Sequence, residues 1–143
     1  KKVMPHCAIG VDVIVGFPEE TESRYKETYN FINSLDVSYL HVFPYSERNN
    51  TTAIRMEGKI PVKVRQKRSK ELQGLSLQKK NIFYHQFIGD KRYVLFEDQN
   101  SDGQMSGFTD NYLRVKAPYD SMKANTLQSI ELNKLGNLEY LSE

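Results

Sequence analysis

The sequence contains one cysteine, Cys7, and no tryptophan among its 143 residues. A lone thiol cannot close an internal disulfide, and it cannot by itself hold a metal. Cys7 therefore reads as a packing residue, and the low cysteine usage fits a reducing, cytoplasmic setting. No apolar run approaches the roughly 20 residues that a membrane span needs, so a membrane partner is not expected. The start, Lys1-Lys2-Val3-Met4-Pro5-His6, lacks the features of a signal peptide. No glycine-rich phosphate loop or nucleophile elbow occurs. His6, His41 and His85 are scattered, with no carboxylate or cysteine at metal-ligand spacing, and they read as structural. No catalytic residue is assigned.

Carboxylates are scarce in one stretch. Between residues 59 and 80, Lys59, Lys63, Arg65, Lys67, Arg68, Lys70, Lys79 and Lys80 face only Glu71. Such a window is either a solvated helix face or a phosphate-binding surface, since clustered cations release counterions from nucleic acid.

Residues 8–16, Ala-Ile-Gly-Val-Asp-Val-Ile-Val-Gly, predict a strand buried on both faces of a parallel sheet. Thr21 is placed to cap a helix carrying Tyr25, Phe31, Ile32 and Leu35. Residues 37–43 form a second strand stopped by Pro44, completing a βαβ unit. After a loop from Tyr45 to about Lys59, Pro61 opens a helix running to about Phe87. Its apolar stripe is Leu72, Leu75, Ile82, Phe83 and Phe87, with Gly89 as C-cap and a bend possible at Gly74.

Beyond Gly89 come five short strand-like runs: Tyr93–Phe96, Gln104–Phe108, Tyr112–Lys116, Thr126–Leu132 and Leu138–Leu141. Turn signals at Asn100-Ser101-Asp102-Gly103, Asp110-Asn111, Ala117-Pro118 and Gly136-Asn137 separate them. Five strands in about fifty residues suggest a small OB-like barrel, with a boundary near residues 88–91. Small barrels hold RNA with aromatics and cations; the candidates are Tyr112, Arg92, Arg114, Lys116 and Lys123, joined on the basic helix by Lys63, Arg65, Lys67 and Arg68. Alternation along 112–116 turns Leu113 and Val115 inward and Tyr112, Arg114 and Lys116 outward. Phe108 reads as core.

Two parallel strands and two helices cannot close a barrel, which favours a piece of a longer chain. Ile14-Val15-Gly16-Phe17-Pro18-Glu19-Glu20-Thr21-Glu22, then Leu40-His41-Val42-Phe43-Pro44-Tyr45-Ser46, resembles the radical-SAM tRNA methylthiotransferases. The His41–Ser46 run looks closest to the branch acting on threonylcarbamoyladenosine beside the anticodon. The basic helix followed by Gly107-Phe108-Thr109-Asp110-Asn111-Tyr112 is similar to that family's linker helix and TRAM domain.

The resemblance implies that residues 1–60 are the last two units of a six-strand partial (β/α) barrel, 61–89 the linker helix and 90–143 a five-stranded TRAM barrel. It implies S-adenosylmethionine and [4Fe–4S] clusters in the whole enzyme, with the three cluster cysteines upstream and absent here. Sulfur and a methyl group would be inserted at an adenine C–H position, one S-adenosylmethionine supplying the radical and another the methyl. Ile14, Val15 and Gly16 would border the cofactor's adenine, with Phe43 and Tyr45 as an apolar wall, or these side chains are ordinary core. The expected partners are tRNA, not DNA, and upstream catalytic domains of the same polypeptide; the piece alone should be inactive. Glu19 and Asn50 stand where the family has glycine, and Asn tolerates the left-handed conformation. The loop from Tyr45 has also lost three prolines and should be more mobile when free. The competing readings are a protein-docking module and a self-contained enzyme on a small fold.

Overall fold

A computed structural model describes residues 1–97, 103–136 and 138–142. The chain divides into two compact units, residues 9–79 and residues 1–8 with 80–143. The first is α/β and the second is rich in β-strand. The predicted turn at residues 100–102 and its counterpart at Asn137 lie outside the described residues.

In the first unit, β1 (Gly10–Val15) and β2 (Tyr39–Pro44) pair in parallel, with α1 (Glu22–Ser34) between them in sequence. Thr21 caps α1 as expected, its hydroxyl accepting from the Arg24 N–H at 3.3 Å. The first 18 residues of α2 (Val62–His85) belong to this unit. Val13, Val15, Tyr25, Ile32, Leu40, Leu72 and Leu75 form the core. Ser76 bonds both the N–H and the C=O of Leu40, tying helix to strand.

β1 is not buried on both faces. Val13 and Val15 are buried, while Asp12 and Ile14 are exposed. The nearly continuous apolar run, broken by Asp12 alone, hid this, because a strand covered on one side and one covered on both read alike. Phe31, expected in the stripe of α1, is exposed as well.

In the second unit six strands form one sheet in the order β6-β3-β4-β5-β8-β7. They are β3 (Lys91–Phe96), β4 (Gln104–Thr109), β5 (Arg114–Pro118), β6 (Leu127–Glu131), β7 (Lys134–Gly136) and β8 (Glu139–Leu141). Neighbours are antiparallel except β5 and β8. Only five strands were predicted; β7, three residues long, carried no alternation to read. The buried face packs on Phe83, Tyr84 and Phe87 from the last turns of α2 and the segment after it. Ile82 is exposed, so the apolar stripe runs through Tyr84 instead. Gly107 lies so close to β3 that a Cβ there would sit 2.4 Å from the Leu95 carbonyl oxygen.

Tyr112 does not start a strand. It occupies the turn between β4 and β5 with φ of 64°, and β5 begins at Arg114. Leu113 and Val115 are buried and Arg114 is exposed, as the alternation required.

Candidate functional site

The C-terminal ends of β1 and β2 carry the residues assigned to the cofactor. Ile14 and Phe43 are cross-strand partners on the open face of the pair, 61% and 52% exposed. Asp12 and His41, one step back on the same face, are paired and exposed too. Val15 points the other way and is fully buried, and its carbonyl accepts from the Tyr45 N–H at 2.7 Å.

Gly16 has φ of 79°, and its bare Cα is used inside the fold. A Cβ there would lie 2.3 Å from Cγ of Arg65, so the arginine stem fills the space expected for a ligand. The Gly16 N–H is committed to the Glu20 carboxylate at 2.6 Å. Tyr45 is packed edge-on against Phe17 and lies under the Arg65 guanidinium. Of the five predicted cofactor residues, Ile14 and Phe43 alone present their side chains.

Two predicted RNA contacts are spent within the fold. Arg65 and Arg68 are buried. Arg65 forms a two-point pair with Glu47, whose carboxyl is held down at a pKa of about 2, chiefly by the hydrogen bonds from that guanidinium. Arg68 reaches the Glu20 carboxylate at 2.8 Å and Glu22 at 3.1 Å, and lies over the Tyr25 ring. The Tyr25 hydroxyl donates to Glu71 at 2.7 Å; burial, reinforced by this bond, raises its pKa. Arginine was a poor predictor of exposure here because its long stem packs while its head pairs. Lys79, from the same cationic window, is also buried, and its ammonium donates to the Asn33 and Leu35 carbonyls at the end of α1.

The remaining cations of α2 define a face. Lys63, Lys67 and Lys70 recur at i, i+4 and i+7 and are exposed. With Gln66, Gln73 and Pro44 they line an open groove of about 840 Å³. Lys67 meets Glu71 at 3.8 Å, whereas Lys63 and Lys70 have no ion-pair partner among the described residues. Lys70 was absent from the predicted set, although its helical spacing pointed to it.

In the second unit Arg92 is nearly buried, between Asp90 at 3.2 Å and Asp110 at 3.1 Å and over the Phe87 ring. Arg114 and Lys116 share the Glu139 carboxylate at 3.1 and 2.8 Å and keep their outward faces open. Lys123 is half-exposed, 3.8 Å from Asp120. Tyr112 is exposed, and its ring leans on Phe108 at 5.7 Å. Among the described residues, no cluster of histidines, cysteines and carboxylates has the geometry of a metal site.

The architecture thus places an open, partly apolar strand face and a lysine groove in the first unit, and cations with exposed rings in the second. By sequence the chain belongs to the radical-SAM tRNA methylthiotransferases. No family model matches it, but individual relatives do. It is 40% identical to the threonylcarbamoyladenosine tRNA methylthiotransferase of Bacillus subtilis, over 80% of this chain and 26% of that protein. It is 37% identical to the corresponding protein of Aquifex aeolicus, over 78% of the chain and 26% of the relative. A tRNA-2-methylthio-N(6)-dimethylallyladenosine synthase from Protochlamydia amoebophila is 33% identical, over 100% of the chain and 32% of its own length. The chain therefore spans about a quarter to a third of these relatives.

Proposed function

We propose that this chain is the tRNA-gripping C-terminal portion of a radical-SAM enzyme that methylthiolates a modified adenosine beside the anticodon. The observation that carries the reading is the Lys63, Lys67 and Lys70 face, exposed along a groove with Glu71 as its single carboxylate. Lys63 and Lys70, without an ion-pair partner among the described residues, suit a polyanion, which gains affinity by releasing its counterions. Lys116, Arg114 and Lys123 add to the grip from the second unit.

The open face of β1 and β2 supports placing residues 1–60 at the end of a partial (β/α) barrel. Residues 61–89 then make the linker helix, and 90–143 the TRAM barrel. Ile14 and Phe43 fit an apolar edge of the S-adenosylmethionine pocket; Val15, Gly16 and Tyr45 act behind it. That cofactor supplies radical and methyl chemistry in the whole enzyme. With one cysteine the chain does not fit a three-cysteine cluster, so it should be inactive alone and depend on upstream domains of the same polypeptide. The relatives' names support both threonylcarbamoyladenosine and dimethylallyladenosine branches; the former supplies the more similar sequences.

The test is binding of unmodified tRNA at two salt concentrations, with a neutral polymer as control. Micromolar binding that weakens steeply with salt is the expected result. Absence of binding at low salt would overturn the grip and favour a protein-docking role.

A further inference from the structure

Phe108 is not core. It stands on the outer face of β4, 37% exposed, with Leu95 of β3 and Arg114 of β5 as direct cross-strand partners. Leu95 in turn faces Leu127 of β6. Directly opposed residues share a sheet face. Leu127, Leu95, Phe108 and Arg114 therefore form one row across four strands. Tyr93 lies on the same face, two residues before Leu95, and is 67% exposed. The core does without these groups, because the alternate positions Val94, Phe96, Met105 and Val115 are buried and fill it.

Tyr112 extends the row. Its ring rests on Phe108, and its turn is fastened by four bonds. The Thr109 N–H donates to the Leu113 carbonyl at 3.0 Å, and the Tyr112 N–H to the Thr109 carbonyl at 3.1 Å. The Leu113 N–H donates to the Thr109 hydroxyl, which itself donates to Asn111 Oδ1. A left-handed, 68% exposed tyrosine held in this way is costly to the fold and gains it no burial. Its ring is set in advance for an outside partner, which lowers the ordering cost of binding.

Exposed apolar rows of this kind mark binding surfaces, and the charge beside this one selects the occupant. Arg114 closes the row, and Lys116 follows on the same strand and face, opposite Ser106. Two cations share the single carboxylate of Glu139, leaving one positive charge in excess. Rings flanked by cations match the two chemistries of a nucleotide, a flat base and a phosphate.

We propose that this face is a stacking platform for unpaired bases of a single-stranded RNA segment. Tyr93, Phe108 and Tyr112 lie under the bases, while Arg114 and Lys116 hold the phosphates. The inference rests on the tRNA-binding reading and deepens it, since a duplex stem hides its base faces and could meet only the cations.

The chain has no tryptophan, so Phe108→Trp introduces a single indole reporter on the platform. An unstructured RNA oligonucleotide should quench that indole, and a perfect duplex of equal charge should not. Tyr93→Ala and Tyr112→Ala should each weaken single-strand binding about tenfold, at unchanged salt slope and unchanged duplex affinity. Tyr112→Phe should restore it, and circular dichroism checks that each variant keeps its fold. Equal quenching by both RNAs, or ring variants that bind the single strand normally, would overturn the platform. If salt-sensitive tRNA binding then persisted, the grip would stand without it. Loss of that binding in the unsubstituted chain would instead sink the grip itself.

Discussion

Arg65 meets Glu47 through two parallel hydrogen bonds, Nη1 to Oε2 at 3.0 Å and Nη2 to Oε1 at 2.6 Å. The guanidinium also donates to the Tyr45 and Ile60 carbonyls, so α2 holds both ends of the loop between β2 and itself. Planar two-point pairing is a property of arginine that lysine cannot reproduce.

Acid should weaken this clasp in a defined window. The Glu47 carboxyl is lowered from about 4.5 to about 2 by its bonds to Arg65. A lowered acid stabilises the fold above its unfolded pKa and ceases to do so as pH falls through the folded one. Glu47→Gln should therefore unfold earlier than the parent at pH 7, and the gap should close between pH 4.5 and about 2. Thermal melts across that range read it out; parallel curves would count against the pair.

Two glycines should respond oppositely to alanine. Gly16→Ala places a Cβ 2.3 Å from Arg65 Cγ at a φ of 79°, and should cost about 2 kcal/mol or more. Gly74 lies exposed within α2 with nothing within 4 Å, and Gly74→Ala should gain about 0.5–1 kcal/mol. Urea titration of both variants provides the comparison.

Glu19 adopts φ of 66°, a left-handed backbone that glycine takes without strain. A side chain at such a backbone costs about 1–2 kcal/mol, part of which a glycine returns as unfolded-state entropy. Glu19→Gly should raise stability by about 0.5–1 kcal/mol in the same assay, despite removing the 3.9 Å approach to Arg24.

Tyr140 donates its hydroxyl to the Tyr84 carbonyl near the end of α2, and burial pushes its pKa up to about 12. Tyr140→Phe removes this bond, leaving the carbonyl the Phe87 N–H at 3.1 Å, and should cost about 1 kcal/mol. A raised phenol stabilises the fold below its unfolded pKa, near 10, and ceases to as pH climbs toward about 12. The variant should thus lose less stability than the parent over that interval, as seen by alkaline unfolding.

Replacing Lys63, Lys67 and Lys70 together by alanine should leave the melting curve unchanged and weaken tRNA binding. The slope of log affinity against log salt should fall by roughly 1 for each phosphate that is no longer neutralised. An unaltered slope would remove α2 from the RNA surface.

Much of this was readable along the chain because it depends on local periodicity. Thr21 announced α1, the pattern at Leu113–Lys116 announced the faces of β5, and Asn50 signalled the left-handed φ of 66° that it adopts. Family membership was readable too, from short runs such as His41–Ser46.

What sequence alone determined is therefore the order of elements, the basic character of α2 and the kinship. The tertiary structure decided which residues remain available. Arg65 and Arg68 look like surface cations in one dimension, yet carboxylates about twenty and nearly fifty positions away bury them. Phe108 and Ile14 look like core, yet the opposite faces of their strands fill the core first and leave them outside. Periodicity can say that a strand has two faces; only packing, through partners distant in the chain, says which face meets solvent.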